Sequence, residues 1–170
     1  MIMIKTILFV IFFIFYKTFH PYVAWSEEIE TKFSEQFSPR IASIKTSRAN
    51  LRSGPGKDYP IKWIYIKKKW PLKIIDQLDH WRRIHTINNV KGWFHKSQLS
   101  GKKTSLIIYK DYLRKKPSLN SRKIALLKNK LIVDIIKCKV HWCKIEIKER
   151  RFSGWYVKNY LWGSDLIRID

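Results

Sequence analysis

Apolar positions in this chain come in short bursts rather than in long helical stripes. From residue 40 onward the runs are "RIASIKT", "IKWIYI", "LKII", "WRRIHTI" and "KGWFHKSQL", followed by "TSLIIY", "KIALLK", "LIVDIIK", "WCKIEIK" and "SGWYVKNYL". They are rich in Ile, Val, Trp and Tyr and are cut by Gly, Pro, Asn or Asp, which is the pattern of strands joined by tight turns. No segment of this region sustains a helical period, so the fold class expected is all-β. Five short strands in about 60 residues suit a small closed or half-closed barrel, which leaves few exposed sheet edges.

The two groups of runs are versions of one unit. At an offset of 62, Leu51-Arg52 falls on Leu113-Arg114, Pro55 on Pro117, Gly92-Trp93 on Gly154-Trp155 and Leu99 on Leu161. At an offset of 61, Ile74-Ile75 falls on Ile135-Ile136 and "WRRI" at Trp81 on "WCKI" at Trp142. So many anchored matches within one period mark a tandem repeat. The units are placed at residues 41–101 and 102–164, with 165–170 as a C-terminal tail. The joint "GKKTSLIIY" is short and β-rich, so the two barrels are expected to be held close together.

The first 40 residues read differently. Lys5 precedes the ten-residue apolar run "ILFVIFFIFY", and Ala24 and Ser26 form a small-x-small pattern behind it. A spanning helix needs roughly 20 apolar residues, so residues 1–26 read as a cleaved signal peptide and the chain as periplasmic. The alternative is an inner-membrane anchor formed by an uncleaved segment. Residues 27–40 carry four Glu, with Ile29, Phe33 and Phe37 spaced four apart, which fits a short helix on a basic barrel face or a tail.

Charge narrows the partners. The formal net charge is +22, so anionic surfaces are candidate ligands, while 45% hydrophobic and 15% aromatic residues belong to a globular chain rather than a disordered polycation. Sequence-specific nucleic-acid recognition is not expected. The five His are scattered without ligand spacing, so no metal and no cofactor are expected. Asp76 and Asp79 border one hairpin loop and read as turn residues, and no nucleophile–base pair is visible, which argues against an enzyme. The two Cys are Cys138 and Cys143 in "CKVHWC", and a four-residue hairpin loop would oppose them directly, within disulfide range.

One loop stands out. "NLRSGPGKDYP", from Asn50 to Pro60, places Gly-Pro-Gly beside cations. A Walker-type phosphate cradle needs a following helix, which Pro60 blocks. Pro55 followed by Gly56 instead predicts a type II turn, with positive φ at Gly56. The surrounding unit carries Tyr59, Trp63, Tyr65, Trp70, Trp81, Trp93 and Phe94, more large rings than a barrel of this size buries. They fit either a groove for a peptide or sugar-peptide or a seam between the repeats, and the pattern leaves both open.

"SRANLRSGPGKDYPIKWIYIKKKWPLKIIDQLDHWRRIHTINNVKGWFHKSQLSG" resembles an exported bacterial SH3 domain. The resemblance rests on the N-L-R-x-G-P-G start, the Tyr-Pro that follows, the W-x-x-I strand and the closing G-W-F-H. Unit two resembles the same domain more weakly, with Lys116 and Ser118 at the positions of Gly54 and Gly56. The resemblance implies two tandem SH3-like barrels in an envelope setting. It implies a non-enzymatic module that binds peptidoglycan, its peptides or an envelope protein, or that serves as an accessory of a cell-wall hydrolase. In such barrels the groove lies beside the first loop, which makes Arg52, Tyr59, Trp81, Trp93 and His95 its candidate members, with Gly54, Pro55 and Gly56 as the turn.

Overall fold

A computed structural model describes residues 37–169. The predicted signal peptide and most of the 27–40 segment lie outside the described residues.

Repeat one forms β1 (Arg40–Ile44), β2 (Ala49–Arg52), β3 (Ile61–Tyr65), β4 (Pro71–Leu78), β5 (Trp81–His85), β6 (Lys91–His95) and β7 (Leu99–Ser100). They make one antiparallel sheet in the order β3-β2-β6-β5-β4-β1-β7. Repeat two forms β8 (Thr104–Leu106), β9 (Asp111–Arg114), β10 (Lys123–Leu127), β11 (Ile132–Cys138), β12 (Trp142–Ile147) and β13 (Phe152–Val157). Its order, β10-β9-β13-β12-β11-β8, copies that of repeat one. The all-β expectation holds. Two four-residue strands, β2 and β9, were absent from the predicted runs, because "ANLR" and "DYLR" are too short to show alternation.

The repeats agree down to single hydrogen bonds. The Ser53 amide donates to Pro60 O at 3.0 Å, and the Lys115 amide to Arg122 O at 3.0 Å. Lys69 and Lys130 take φ values of 63° and 64°, and their amides reach Ile44 O and Ile107 O, each at 2.8 Å. Both β4–β5 and β11–β12 shift register at the same place, after Ile74 and Ile135. Bulges of this kind tighten the twist that bends a small sheet into a barrel.

Period-two alternation sends Leu51, Leu72, Ile74, Ile84 and Phe94 into the core of repeat one, and Leu113, Val133, Ile135, Ile145 and Tyr156 into that of repeat two. β1 is an exception, since four of its five residues are buried. Ala42 and Ile44 are buried, and Ile41 joins the repeat-two core. β8 is buried throughout, and its Thr104 hydroxyl donates to Lys69 O at 2.9 Å. Ion pairs from Lys69 to Asp134 (3.2 Å) and Glu149 (3.4 Å), and from Lys73 to Asp165 (2.9 Å), complete the seam. Burial disfavours the Lys69 charge, but Asp134 and Glu149 outweigh it and hold the amine above the ordinary lysine value. The 165–170 segment is partly built in as well. Ile167 is buried and Ile169 forms a parallel bridge to Cys138.

Candidate functional site

The Gly-Pro-Gly loop makes a different turn from the one predicted. Gly56 is not among the described residues with positive φ, so the type II turn is not formed. Instead the Gly56 amide donates to Gly54 O at 3.1 Å, closing a three-residue turn centred on Pro55. Proline's fixed φ suits the centre of an inverse γ-turn. The same turn forms around Pro117, where the Ser118 amide donates to Lys116 O at 2.9 Å. Repeat two therefore keeps the turn without either glycine.

What the glycines provide is room for a ring. A Cβ on Gly54 would lie 2.6 Å from Tyr59 Cγ, and one on Gly56 would lie 3.1 Å from Tyr59 Cδ2. Gly54 and Gly56 thus seat the Tyr59 ring, which remains 48% exposed. Repeat two has Ser121 at the Tyr59 position, and its hydroxyl accepts from the Lys116 amide at 2.8 Å. Repeat two thus has neither the ring nor the two glycines that seat it.

Beside this loop the structure aligns the other candidates on one outer face. Arg52 of β2 pairs directly with Trp93 of β6, and Trp81 of β5 pairs with His95 of β6. Trp93 and His95 are two residues apart on one strand, so the pairs share the face opposite buried Phe94. The Gly92 that precedes Trp93 allows this crossing, since a Cβ there would meet Arg52 O at 2.8 Å. Arg52 Nη1 donates to Tyr59 O at 2.6 Å, tying the strand to the loop. Trp81 and His95 meet edge to face with centroids 5.4 Å apart, and His80 approaches His95 at 5.9 Å. Burial first, then His80, Lys57, Lys96 and Arg82, hold His95 below the ordinary imidazole value. Its Nδ1 lies 2.8 Å from the Ser97 hydroxyl.

His80 and Lys57 were missed in the sequence. His80 follows Asp79, whose φ of 46° makes the turn that brings the imidazole back toward β6, and nothing in a single sequence marks that turn as a site. The alternative placing of the aromatics in the seam does not describe Tyr59 or Trp63. Both are about half exposed, while the seam is built from Ile41, Lys69, Lys73 and β8. Tyr65 packs on Phe94 at 5.7 Å and serves the core.

In repeat two the matching arginine is taken up by its own repeat. Arg114 pairs with Trp155 as Arg52 pairs with Trp93. Its guanidinium, however, is buried and bonds Asp111 (3.1 Å), Tyr112 O (2.7 Å) and Leu119 O (3.4 Å), and lies 5.8 Å from the Trp142 ring centre. Cys138 and Cys143 form the predicted disulfide and are direct partners in the β11–β12 ladder. Among the described residues no group of three or more His, Cys, Asp or Glu is placed to hold a metal.

A sheet order this similar in two short units, joined by a seam, defines a tandem small-barrel protein of SH3 type. The chain belongs to the bacterial SH3 domain family, whose model matches residues 45–101 and again 112–163. Among solved structures it is similar to NlpC2 from Trichomonas vaginalis, with 12% identity, a TM-score of 0.36, and coverage of 74% of this chain and 48% of that one. It is also similar to NlpC1 from the same organism, with 12% identity, a TM-score of 0.34, and coverage of 76% and 48%. A third is an NlpC/P60 family protein from Bacillus cereus, with 13% identity, a TM-score of 0.31, and coverage of 71% and 55%. The chain thus spans about half the length of these structures. No curated protein matches it. Among the described residues no helix is long and apolar enough to cross a membrane.

Proposed function

We propose that the chain is an exported, non-enzymatic binding module that recognises cell-envelope material (peptidoglycan, its peptides or an envelope protein) through the outer face of repeat one. The observation that carries this reading is the open strip of Tyr59, Arg52, Trp93, His95 and Trp81 next to a loop built to hold a ring at the surface. Indole and phenol rings stack on the apolar faces of sugars and peptide bonds, and a guanidinium with free donors suits a carboxylate. Bacterial SH3 domains are generally binding modules, which agrees.

Co-sedimentation of the purified protein with isolated peptidoglycan sacculi across a salt titration tests this. Recognition by the strip predicts binding that survives a several-fold rise in salt, because stacked rings are not screened. A steep loss with salt would instead favour a polyanion or membrane-surface binder driven by the +22 net charge. Export has its own test: mass spectrometry of the secreted protein should find an N-terminus near Glu27.

A further inference from the structure

A cavity of about 610 Å³ opens where repeat one, the 101–103 joint and the C-terminal segment meet. Its size is that of a small-molecule site. Ile41, Ile74, Leu99 and Ile167 give it apolar walls. Arg40, Arg82, Lys96, Lys103 and Arg168 bring five basic side chains to it, and none of its described lining residues is acidic. Arg82 Nη1 donates to Asp79 O at 2.9 Å and Trp81 O at 2.8 Å. Arg82, Lys96, Lys103 and Arg168 are not ion-paired with a described carboxylate, and Asp165, the acid next to the lining segment, is held by Lys73. Burial, and then the positive charge of Arg40, push Arg82 down from the ordinary arginine value. Positive charge is therefore concentrated here against a partly apolar wall, and an anion would relieve it.

Repeat two is built differently at the matching ladder position. The Gln77–Arg82 pair of repeat one is replaced there by Cys138–Cys143, with Ile169 bridging to Cys138. An arginine stands in the ladder where the other repeat has a disulfide.

We propose that this cavity is a second binding site, for an amphiphilic anion, with a phosphate or carboxylate head among Arg82, Lys96, Lys103 and Arg168 and an apolar portion against Ile41, Ile74, Leu99 and Ile167. It shares no residue with the Tyr59–Trp81 strip, although Arg82 and Lys96 adjoin Trp81 and His95, and its test uses a different ligand, so the two readings fail separately.

Calorimetric titration of the full chain with dodecyl phosphate, below its micelle concentration, tests the site. The expected result is one-to-one binding, with no binding of uncharged dodecyl maltoside. Lys103→Glu with Arg168→Glu should weaken dodecyl phosphate by about tenfold or more. Lys115→Glu with Lys116→Glu makes the same charge change at exposed positions outside the cavity and should leave binding within about twofold. Should the first pair disturb folding, Lys103→Gln with Arg168→Gln repeats the measurement with a smaller charge change. Equal weakening by both pairs would overturn the site, since the general field would then be the binder. Inorganic phosphate binding as tightly as dodecyl phosphate would overturn the amphiphile, and dodecyl maltoside binding equally well would overturn the anion.

Discussion

Repeats one and two share a sheet order, a proline-centred turn and an Arg–Trp pair, yet they use the shared arginine oppositely. Arg114 is buried and bonded to Asp111 and two carbonyls, whereas Arg52 is half-buried and holds one carbonyl. One barrel uses the position to support itself. The other leaves donors and rings facing outward. A position shared by two repeats is thus a geometric slot, and the neighbours decide what fills it. Asp111 stands where repeat one has Ala49, and this substitution supplies the counter-charge that allows Arg114 to be buried.

The strongest way to break this comparison is to remove both arginines in turn. Arg114→Ala leaves Asp111 without its partner and should cost about 3 kcal/mol. Arg52→Ala loses one hydrogen bond at a partly exposed site and should cost about 1 kcal/mol. Denaturant unfolding of the two variants checks the asymmetry, and equal costs would erase it.

Alkaline titration separates the cores. Tyr156 occupies the place of Phe94, and burial, with Asp111 adding to it, pushes its phenol up to about 12. Its hydroxyl donates to Tyr109 O at 2.7 Å. The folded value lies above the unfolded one near 10, so the stability of repeat two is intact below pH about 10 and declines as pH rises through about 12. Tyr156→Phe should remove that decline, as followed by circular dichroism.

Next in size is the disulfide. Its closed ring is short, so replacing Cys138 and Cys143 by Ala should cost about 2 kcal/mol. The loss should fall on repeat two, which hydrogen exchange resolved by residue would show.

A smaller effect tests the glycine seat. Gly54→Ala should cost about 1–2 kcal/mol by displacing the Tyr59 ring. In a Tyr59→Ala background the same change should cost less than about 0.5 kcal/mol, a coupling that thermal unfolding of the double-mutant cycle measures.

Much of this was legible in the chain. The repeat frame, the strand type and the Cys138–Cys143 bridge follow from spacing, because strands alternate and hairpins oppose fixed positions. The role of Gly54 and Gly56 was not. Glycine serves either positive φ or close approach, and "GPGKDY" is compatible with both until the Tyr59 ring is placed. The double-sided burial of β1 was equally hidden, since "RIASI" reads the same whether Ile41 meets solvent or a second barrel. His80 and Lys57 were invisible because turn geometry, rather than residue pattern, carries them toward His95.

The most direct test of the central claim compares one side chain from each loop. Tyr59→Ala in repeat one and Leu119→Ala in repeat two both remove an exposed apolar group from the same loop of the barrel. Sacculus binding by the folded variants should fall about tenfold for Tyr59→Ala, a loss of one stacked ring, and stay at the wild-type level for Leu119→Ala. Wild-type binding by a folded Tyr59→Ala protein, or equal losses in the two variants, would contradict the account.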